Sequence, residues 1–315
     1  MNEQKSEEIN IMNTNKNKKK YMFKEIKKMQ LHMSLIIKLL KFPSGNFISI
    51  SYDQTIKIWD KNFNPIQNLI NEDNNEIYDI SIKDDNNFVI CTTMITTWEK
   101  NLDLFKINNM ILNAHKFEKI NRVIYCKNDN IISSDIHLIK IWSKSKNIYQ
   151  CITIIKFQFY FQSFLFLEDQ NMLICCGDYK TKFWNILNFS FLFEIKEMDK
   201  SNIYKLDNNN ILLSQMNNFF KFSLLEKKVI KSCNHNLIFD QIKVINNKEI
   251  IICAQYKEIY IYNIDNFELI HRIIDEIFYY NGFEDFNDDS IIFYTDKGII
   301  ILFQLILIKE KYYLK

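Results

Sequence analysis

The sequence predicts an all-β chain made of seven consecutive units, each of four antiparallel strands, behind a short polar N-terminal segment. Three observations carry this. The 315 residues include 55 Ile but only 2 Ala and 4 Gly, so the best helix former is nearly missing while β-branched residues dominate. A short motif ending in Trp or a stand-in for it recurs at intervals of 39–44 residues. Clusters of Asn and Asp recur at the same period, each just ahead of an Ile- or Leu-rich run, where a hairpin must reverse. Hydrophobic residues make up 47% and aromatic residues 15% of the chain, which suits a packed core and excludes disorder for the bulk of it.

The units follow in order. The first is marked by Ser51-Tyr52-Asp53-Gln54-Thr55-Ile56-Lys57-Ile58-Trp59-Asp60. Met94-Ile95-Thr96-Thr97-Trp98-Glu99, Leu138-Ile139-Lys140-Ile141-Trp142-Ser143 and Lys180-Thr181-Lys182-Phe183-Trp184-Asn185 repeat it. Weaker copies are Phe219-Phe220-Lys221-Phe222-Ser223, Glu258-Ile259-Tyr260-Ile261-Tyr262-Asn263 and Gly298-Ile299-Ile300-Ile301-Leu302-Phe303. The units therefore end near Trp59, Trp98, Trp142, Trp184, Ser223, Tyr262 and Leu302.

Unit two shows the strand logic. Residues 77–82 alternate apolar and polar, Asp84-Asp85-Asn86-Asn87 reads as a turn, and residues 88–92 form a largely apolar run buried on both faces. The motif strand and an outer strand at 102–107 complete the unit. Lys127-Asn128-Asp129-Asn130, Glu168-Asp169-Gln170-Asn171, Asp207-Asn208-Asn209-Asn210, Asn246-Asn247-Lys248 and Asn287-Asp288-Asp289 repeat the turn. Asn tolerates positive φ better than other non-glycine residues, so these clusters are expected to replace Gly at the reversals.

A period near 40 with Trp before a small polar or acidic residue resembles the WD-repeat family of β-propellers. The resemblance covers residues 21–315. It is strong in units one and three, good in two and four, and degenerate in five to seven. It implies a seven-bladed β-propeller of four-stranded antiparallel blades with a short disordered N-terminal tail (residues 1–20).

In the resembled family a His, a Ser or Thr, an Asp and the Trp join across three strands. Unit one supplies His32, Ser51, Asp53 and Trp59, and unit three His115, Ser133, Asp135 and Trp142. Unit four keeps Asp178 and Trp184, with Cys176 at the hydroxyl position and no His. Unit six offers His235, Cys253, Gln255 and Tyr262, unit seven Asp296, and units two and five Trp98 and Asn217. Ser, His and Asp repeated at blade spacing read as structure rather than catalysis, because a buried indole N–H and hydroxyl need acceptors. The family also closes its ring with an N-terminal strand. Residues 21–27 fit that role, and 305–315, strongly β-prone, compete for it.

Other readings are narrowed by composition. The net charge of +2 is split: residues 1–30 carry eight Lys against four Glu, leaving the remaining 285 residues at −2. A near-neutral body argues against a general nucleic-acid binder, although Lys16, Lys18, Lys19 and Lys20 in the tail suit a nuclear signal or an RNA contact as well as a solvated tail. No apolar run reaches membrane-helix length; the longest, residues 299–308, contains Gln304. Seven scattered Cys and no apolar stretch of signal-peptide length at the N-terminus suggest reduced thiols and a cytoplasmic or nuclear setting. The five His (32, 115, 137, 235, 271) form no ligand cluster, four Gly build no phosphate loop, and Asp84-Asp85 and Asp288-Asp289 lie in turns. No cofactor and no metal are expected. The aromatic run Phe157-Gln158-Phe159-Tyr160-Phe161-Gln162-Ser163-Phe164 reads as an outer strand leading into an inner one, or as an exposed patch.

The expectation for function is a non-enzymatic scaffold that presents loop faces to partner proteins or peptides. On the face that partners of the resembled family often use, the matching positions are Tyr52, Gln54, His137, Tyr179, Lys180, Tyr256, Lys257 and Lys297. The alternatives are a nucleic-acid-associated subunit using the Lys-rich tail and, below it, a propeller enzyme with a central-channel site. That enzyme would need polar groups on inner strands that read as Ile-, Leu- and Phe-rich.

Overall fold

The computed structural model describes residues 20–308, apart from 72–74, 117–118, 158–160, 178–179, 197–200, 216–217, 236, 238, 240, 246–249, 256, 275–278 and 288–289. The expected disordered tail, the end of the competing C-terminal segment, Asp178, Asn217 and Asp288-Asp289 lie outside the described residues.

The chain begins with β1 (Lys20–Gln30). Blade one is β2 (Ile36–Lys41), β3 (Phe47–Ser51), β4 (Thr55–Trp59) and β5 (Pro65–Ile70); blade two is β6 (Asp79–Asp84), β7 (Asn87–Cys91), β8 (Ile95–Asn101) and β9 (Leu104–Ile111). Blade three is β10 (Arg122–Tyr125), β11 (Ile131–Ser134), β12 (Leu138–Ser145) and β13 (Ile148–Lys156); blade four is β14 (Phe161–Leu167), β15 (Met172–Gly177), β16 (Lys180–Asn185) and β17 (Ser190–Lys196). Blade five is β18 (Ser201–Lys205), β19 (Asn210–Gln215), β20 (Asn218–Ser223) and β21 (Lys228–Asn234); blade six is β22 (Gln241–Ile245), β23 (Ile250–Gln255), β24 (Glu258–Asn263) and β25 (Leu269–Ile274). Blade seven is β26 (Tyr280–Asn287), β27 (Ser290–Thr295), β28 (Ile299–Ile308) and, as its outermost strand, β1. Every blade is an antiparallel meander, and a single 3₁₀ turn at Glu168–Gln170 is the one helical element among the described residues.

Each blade stacks face to face on the next. The buried apolar residues fall into seven clusters, each drawn from two adjacent blades. Second strands are therefore covered on both faces: β3, β11 and β27 are buried at every position, which explains their continuous Ile-rich sequences. Fourth strands alternate, as in β21, because their outer side meets solvent. Cys175 packs into the cluster between blades three and four and Cys176 into that between four and five, so the adjacent thiols point to opposite faces. Polar contacts between blades join residues one repeat apart, such as Lys38 with Asp79 and Lys243 with Glu284.

The ring closes through β1, which pairs with β28 from Lys20↔Ile308 to Gln30↔Ile299. The N-terminal stretch thus completes blade seven, and residues 305–308 belong to its third strand. At this seam Gly298 turns with φ +73°, and its carbonyl accepts the N–H groups of Leu31 and His32 at 2.9 and 3.1 Å.

A β-bulge sits between the third and fourth strands of all seven blades at the motif position. It falls at Trp59, Trp98, Trp142, Trp184, Phe222 and Tyr262, and in blade seven at Phe303, across from the shift between Glu25 and Lys27. This corrects the counting in two units, where Phe222 and Phe303 occupy the place expected for Ser223 and Leu302. Spacing counted along the chain absorbs loop-length changes, whereas the bulge is fixed by pairing.

The described Asn and Asp clusters do lie at the reversals, but mostly not through positive φ; Asn246-Asn247-Lys248 lies outside the described residues. Of twelve non-glycine residues in that region only Asn113, Asp129, Asn147 and Asn171 are Asn or Asp; others include Phe63, Phe189 and Phe267. Instead Asp84, Asn128 and Asp207 in these clusters accept the backbone N–H groups of Asn86, Asn130 and Asn209, two residues on, and Asp60 and Asn263 do the same for Asn62 and Asp265 between third and fourth strands. These are Asx turns. At Phe63 and Phe267 burial of the ring offsets the backbone strain.

Candidate functional site: the loop face and the channel beneath it

In blade one, Trp59 donates its indole N–H to Ser49 Oγ at 2.9 Å, and Ser49 Oγ lies 2.7 Å from His32 Nε2. His32 Nδ1 sits 3.0 Å from Asp53 Oδ2. A neutral imidazole protonated at Nδ1 satisfies the whole chain, with the Ser49 hydroxyl donating to Nε2. Burial holds the His32 pKa down to about 4, against the opposing pull of Asp53. Burial pushes the Asp53 carboxyl up, but the Thr55 hydroxyl, His32 and the N–H groups of Met33 and Thr55 together hold it below the usual range.

The hydroxyl of this network is Ser49, not the expected Ser51. The two share a face of β3, and pairing places Ser49 opposite Lys57, as Ser133 lies opposite Lys140 in blade three. The turn in blade one is one residue longer, so counting back from Asp53 lands on the wrong serine. Ser51 Oγ instead accepts the N–H of Asp53 and donates to the carbonyl of Ser34. Blade three joins the residues named for it: Trp142 to Ser133 at 2.9 Å, Ser133 to His115 at 2.7 Å and His115 to Asp135 at 2.8 Å.

Elsewhere the network thins. In blade four the equivalent of Ser49 is Cys175 rather than Cys176, since Cys175 pairs with Lys182 and Leu173 with Trp184; Cys176 instead contacts the Thr181 hydroxyl at 3.0 Å. The indole N–H groups of Trp98 and Trp184 are buried without partners. In blade six His235 packs against the rings of Phe219, Phe239 and Tyr262, its Nε2 unpaired.

These networks pin the turns that make one loop face. Tyr52 is 50% exposed there, and Gln54 and His137 are also exposed. Lys257 is half-buried with its ammonium 5.2 Å from the ring of Tyr279, and Lys297 is exposed. Lys180 pairs with Glu194 on the outer strand at 2.8 Å and is held there. Tyr179 and Tyr256 lie outside the described residues. The loops entering the first strands add residues that the motif alone did not indicate: Met33 (88% exposed), and Tyr78 with Lys119 3.8 Å from its ring. The Tyr78 hydroxyl is pushed up by burial, then by Glu76, with a smaller effect of Tyr52. A signal for these existed: they immediately precede the first strand of each unit.

Beneath this face the seven first strands line a channel with a cavity of about 540 Å³. Strand pairing sets Leu39, Ile80, Val123, Phe164, Ile203, Ile242 and Phe283 at one level. One step toward the loop face are Lys38, Asp79, Arg122, Ser163, Asn202, Gln241 and Gly282; one step away are Leu40, Ser81, Ile124, Leu165, Tyr204, Lys243 and Glu284. The expectation that the inner strands offer few polar groups is therefore corrected. Lys38, Asp79, Arg122, Lys243 and Glu284 line the cavity together with apolar residues such as Leu40, Ile124 and Leu165. Asp79 accepts from Lys38 Nζ at 2.6 Å and from the Val123 N–H at 3.0 Å, linking blades one, two and three. Among the described residues no three His, Cys, Asp or Glu side chains come together as a metal site, and no helix is long and apolar enough to cross a membrane.

A ring of seven four-stranded antiparallel blades with buried Trp–Ser–His–Asp networks defines a β-propeller of the repeat type. The family model for the WD domain, G-beta repeat, matches residues 24–60, which run from β1 through β4. The sequence repeat is thus offset by one strand from the blade: it begins in the outer strand of blade seven and ends in the third strand of blade one. The matched repeat and the seven blades together support a WD-repeat propeller. Propellers of this family generally act as protein-interaction scaffolds. No match is found among curated proteins.

Proposed function

We propose that the chain is a non-enzymatic scaffold that captures a partner protein or peptide on its loop face. The observation that carries this is the presence there of the exposed Tyr52 and Met33 and of the half-buried Tyr78 with the Lys119 ammonium over its ring. Rigid aromatic anchors with a charged rim are the composition of protein-binding hot spots. The remaining positions of this reading are Gln54, His137, Tyr179, Lys257, Tyr256 and Lys297, with Lys180 the least accessible.

Affinity purification from the native cell, with mass spectrometry, tests it. Tyr52→Ala combined with Tyr78→Ala should remove the partners that the wild type retains, while the outer-strand change Ile66→Ser keeps them. Unchanged partners with the double variant folded would move the interface elsewhere.

A further inference from the structure

Only two of the 40 basic residues are Arg, and the structure uses them differently. Arg272 clamps Glu258 with two hydrogen bonds, at 2.6 and 3.1 Å. Arg122, exposed on the wall of the central channel, makes one hydrogen bond of 3.3 Å to the carbonyl of Phe164 and lies 5.8 Å from the ring of that residue. It faces no carboxylate among the described residues. A guanidinium carries five donors in a planar fork that fits the two oxygens of a carboxylate or phosphate. Arg272 has found such a partner and, among the described residues, Arg122 has not.

The surroundings favour an anion. Among the described residues the channel wall holds Lys38, Lys41, Arg122, Lys205 and Lys243 against two carboxylates, Asp79 and Glu284. Asp79, the neighbour of Arg122 on its ring, has its oxygens taken by Lys38 and the Val123 N–H. Glu284 is paired with Lys243 at 2.5 Å. The carboxylates are thus neutralised while the Arg122 fork stays available, at the end of the cavity nearest the loop face.

We infer that the channel mouth binds an oxyanion, held in the fork of Arg122. The oxyanion is the phosphate of a small molecule or the carboxylate of an acidic peptide segment entering from the loop face. The inference concerns the channel and does not depend on Tyr52 or Tyr78.

With two Arg in the chain, phenylglyoxal modification of the full-length protein, followed by peptide mass spectrometry, reads each separately. Inorganic phosphate is expected to slow modification of Arg122 about fivefold or more while Arg272, occupied by Glu258, is unaffected. A hexaglutamate peptide is the second probe. Protection by phosphate alone identifies a small-molecule oxyanion, and protection by the peptide an acidic segment; both support the site. Calorimetry of whichever probe protects should show about tenfold weaker binding to Arg122→Lys, which keeps the charge but loses the fork, at an unchanged melting temperature. No protection by either probe, or equal protection of both Arg, overturns the inference.

Discussion

Trp59 reaches past the serine nearest its turn and donates to Ser49, two residues deeper in the same strand. Ser49 Oγ is the only atom of β3 shown to meet both the Trp59 indole and the His32 imidazole. Removing it leaves an N–H and a ring nitrogen buried together. Ser49→Ala should therefore cost about 1–3 kcal/mol. Ser51→Ala, which loses two turn contacts, should cost about 1 kcal/mol or less. Asp53→Ala should cost at least about 1 kcal/mol, because His32, Thr55 and Met33 lose their acceptor. Urea denaturation measures all three, and equal losses for the two serine variants would refute the assignment.

The degenerate blades give the reverse expectation. Trp98 stacks on Phe88 with ring centroids 5.7 Å apart, but its N–H has no partner. Trp98→Phe should change stability by less than about 1 kcal/mol, trading lost packing against relief of a stranded donor. Trp59→Phe breaks a satisfied network and should cost more. Thermal unfolding of the pair decides; a larger loss for Trp98→Phe would contradict this geometry.

Acid should weaken the fold in two steps. His32 and His235 sit at about 4 when folded, through burial above all, against about 6.5 unfolded. Between those values the unfolded chain binds more protons, so stability falls as the pH drops from about 6.5 to about 4. For His32 alone the loss is on the order of 3 kcal/mol. Asp53 and Asp135 are held below the usual carboxylate range, so their contribution is lost at still lower pH. A melting temperature flat from pH 7 to 4.5 would show that these His residues titrate normally.

Closure of the ring depends on a glycine. A Cβ on Gly298 would collide with the carbonyl oxygens of His32 and Ser34, and its φ is already positive. Gly298→Ala should cost roughly 2 kcal/mol or more, while Gly45→Ala, with open space around it, should cost about 1 kcal/mol. Hydrogen exchange should show β1 losing protection first in Gly298→Ala. Loss spread evenly over the blades would argue against a weak seam.

Much of the fold was legible because a repeat cannot hide its period. Ile-rich second strands had to be buried on both faces, and Asn–Asp clusters had to lie at reversals, so seven blades followed. Register was less legible. Ser49 and Ser51 differ by two residues and share a face, so only pairing with Lys57 tells them apart. The same holds for Cys175 against Cys176 and for Phe222 against Ser223, where one residue decides the side of the blade. The loop-face positions were partly legible through Tyr52 and Gln54, whereas Met33 and Tyr78 lie in loops of irregular length, marked only by their place ahead of a first strand.

The sequence by itself determined the number of blades, their strand order and the residue types of the buried networks, since these depend on local alternation and a fixed period. The tertiary structure decided which end of the chain closes the ring, which serine holds Trp59, and that Arg122 lines the channel while the carboxylates there pair with lysines. Each of these is a meeting of residues from different strands, different blades or opposite ends of the chain. Such meetings are set by how the sheets stack around the axis, and no property of a single segment encodes them.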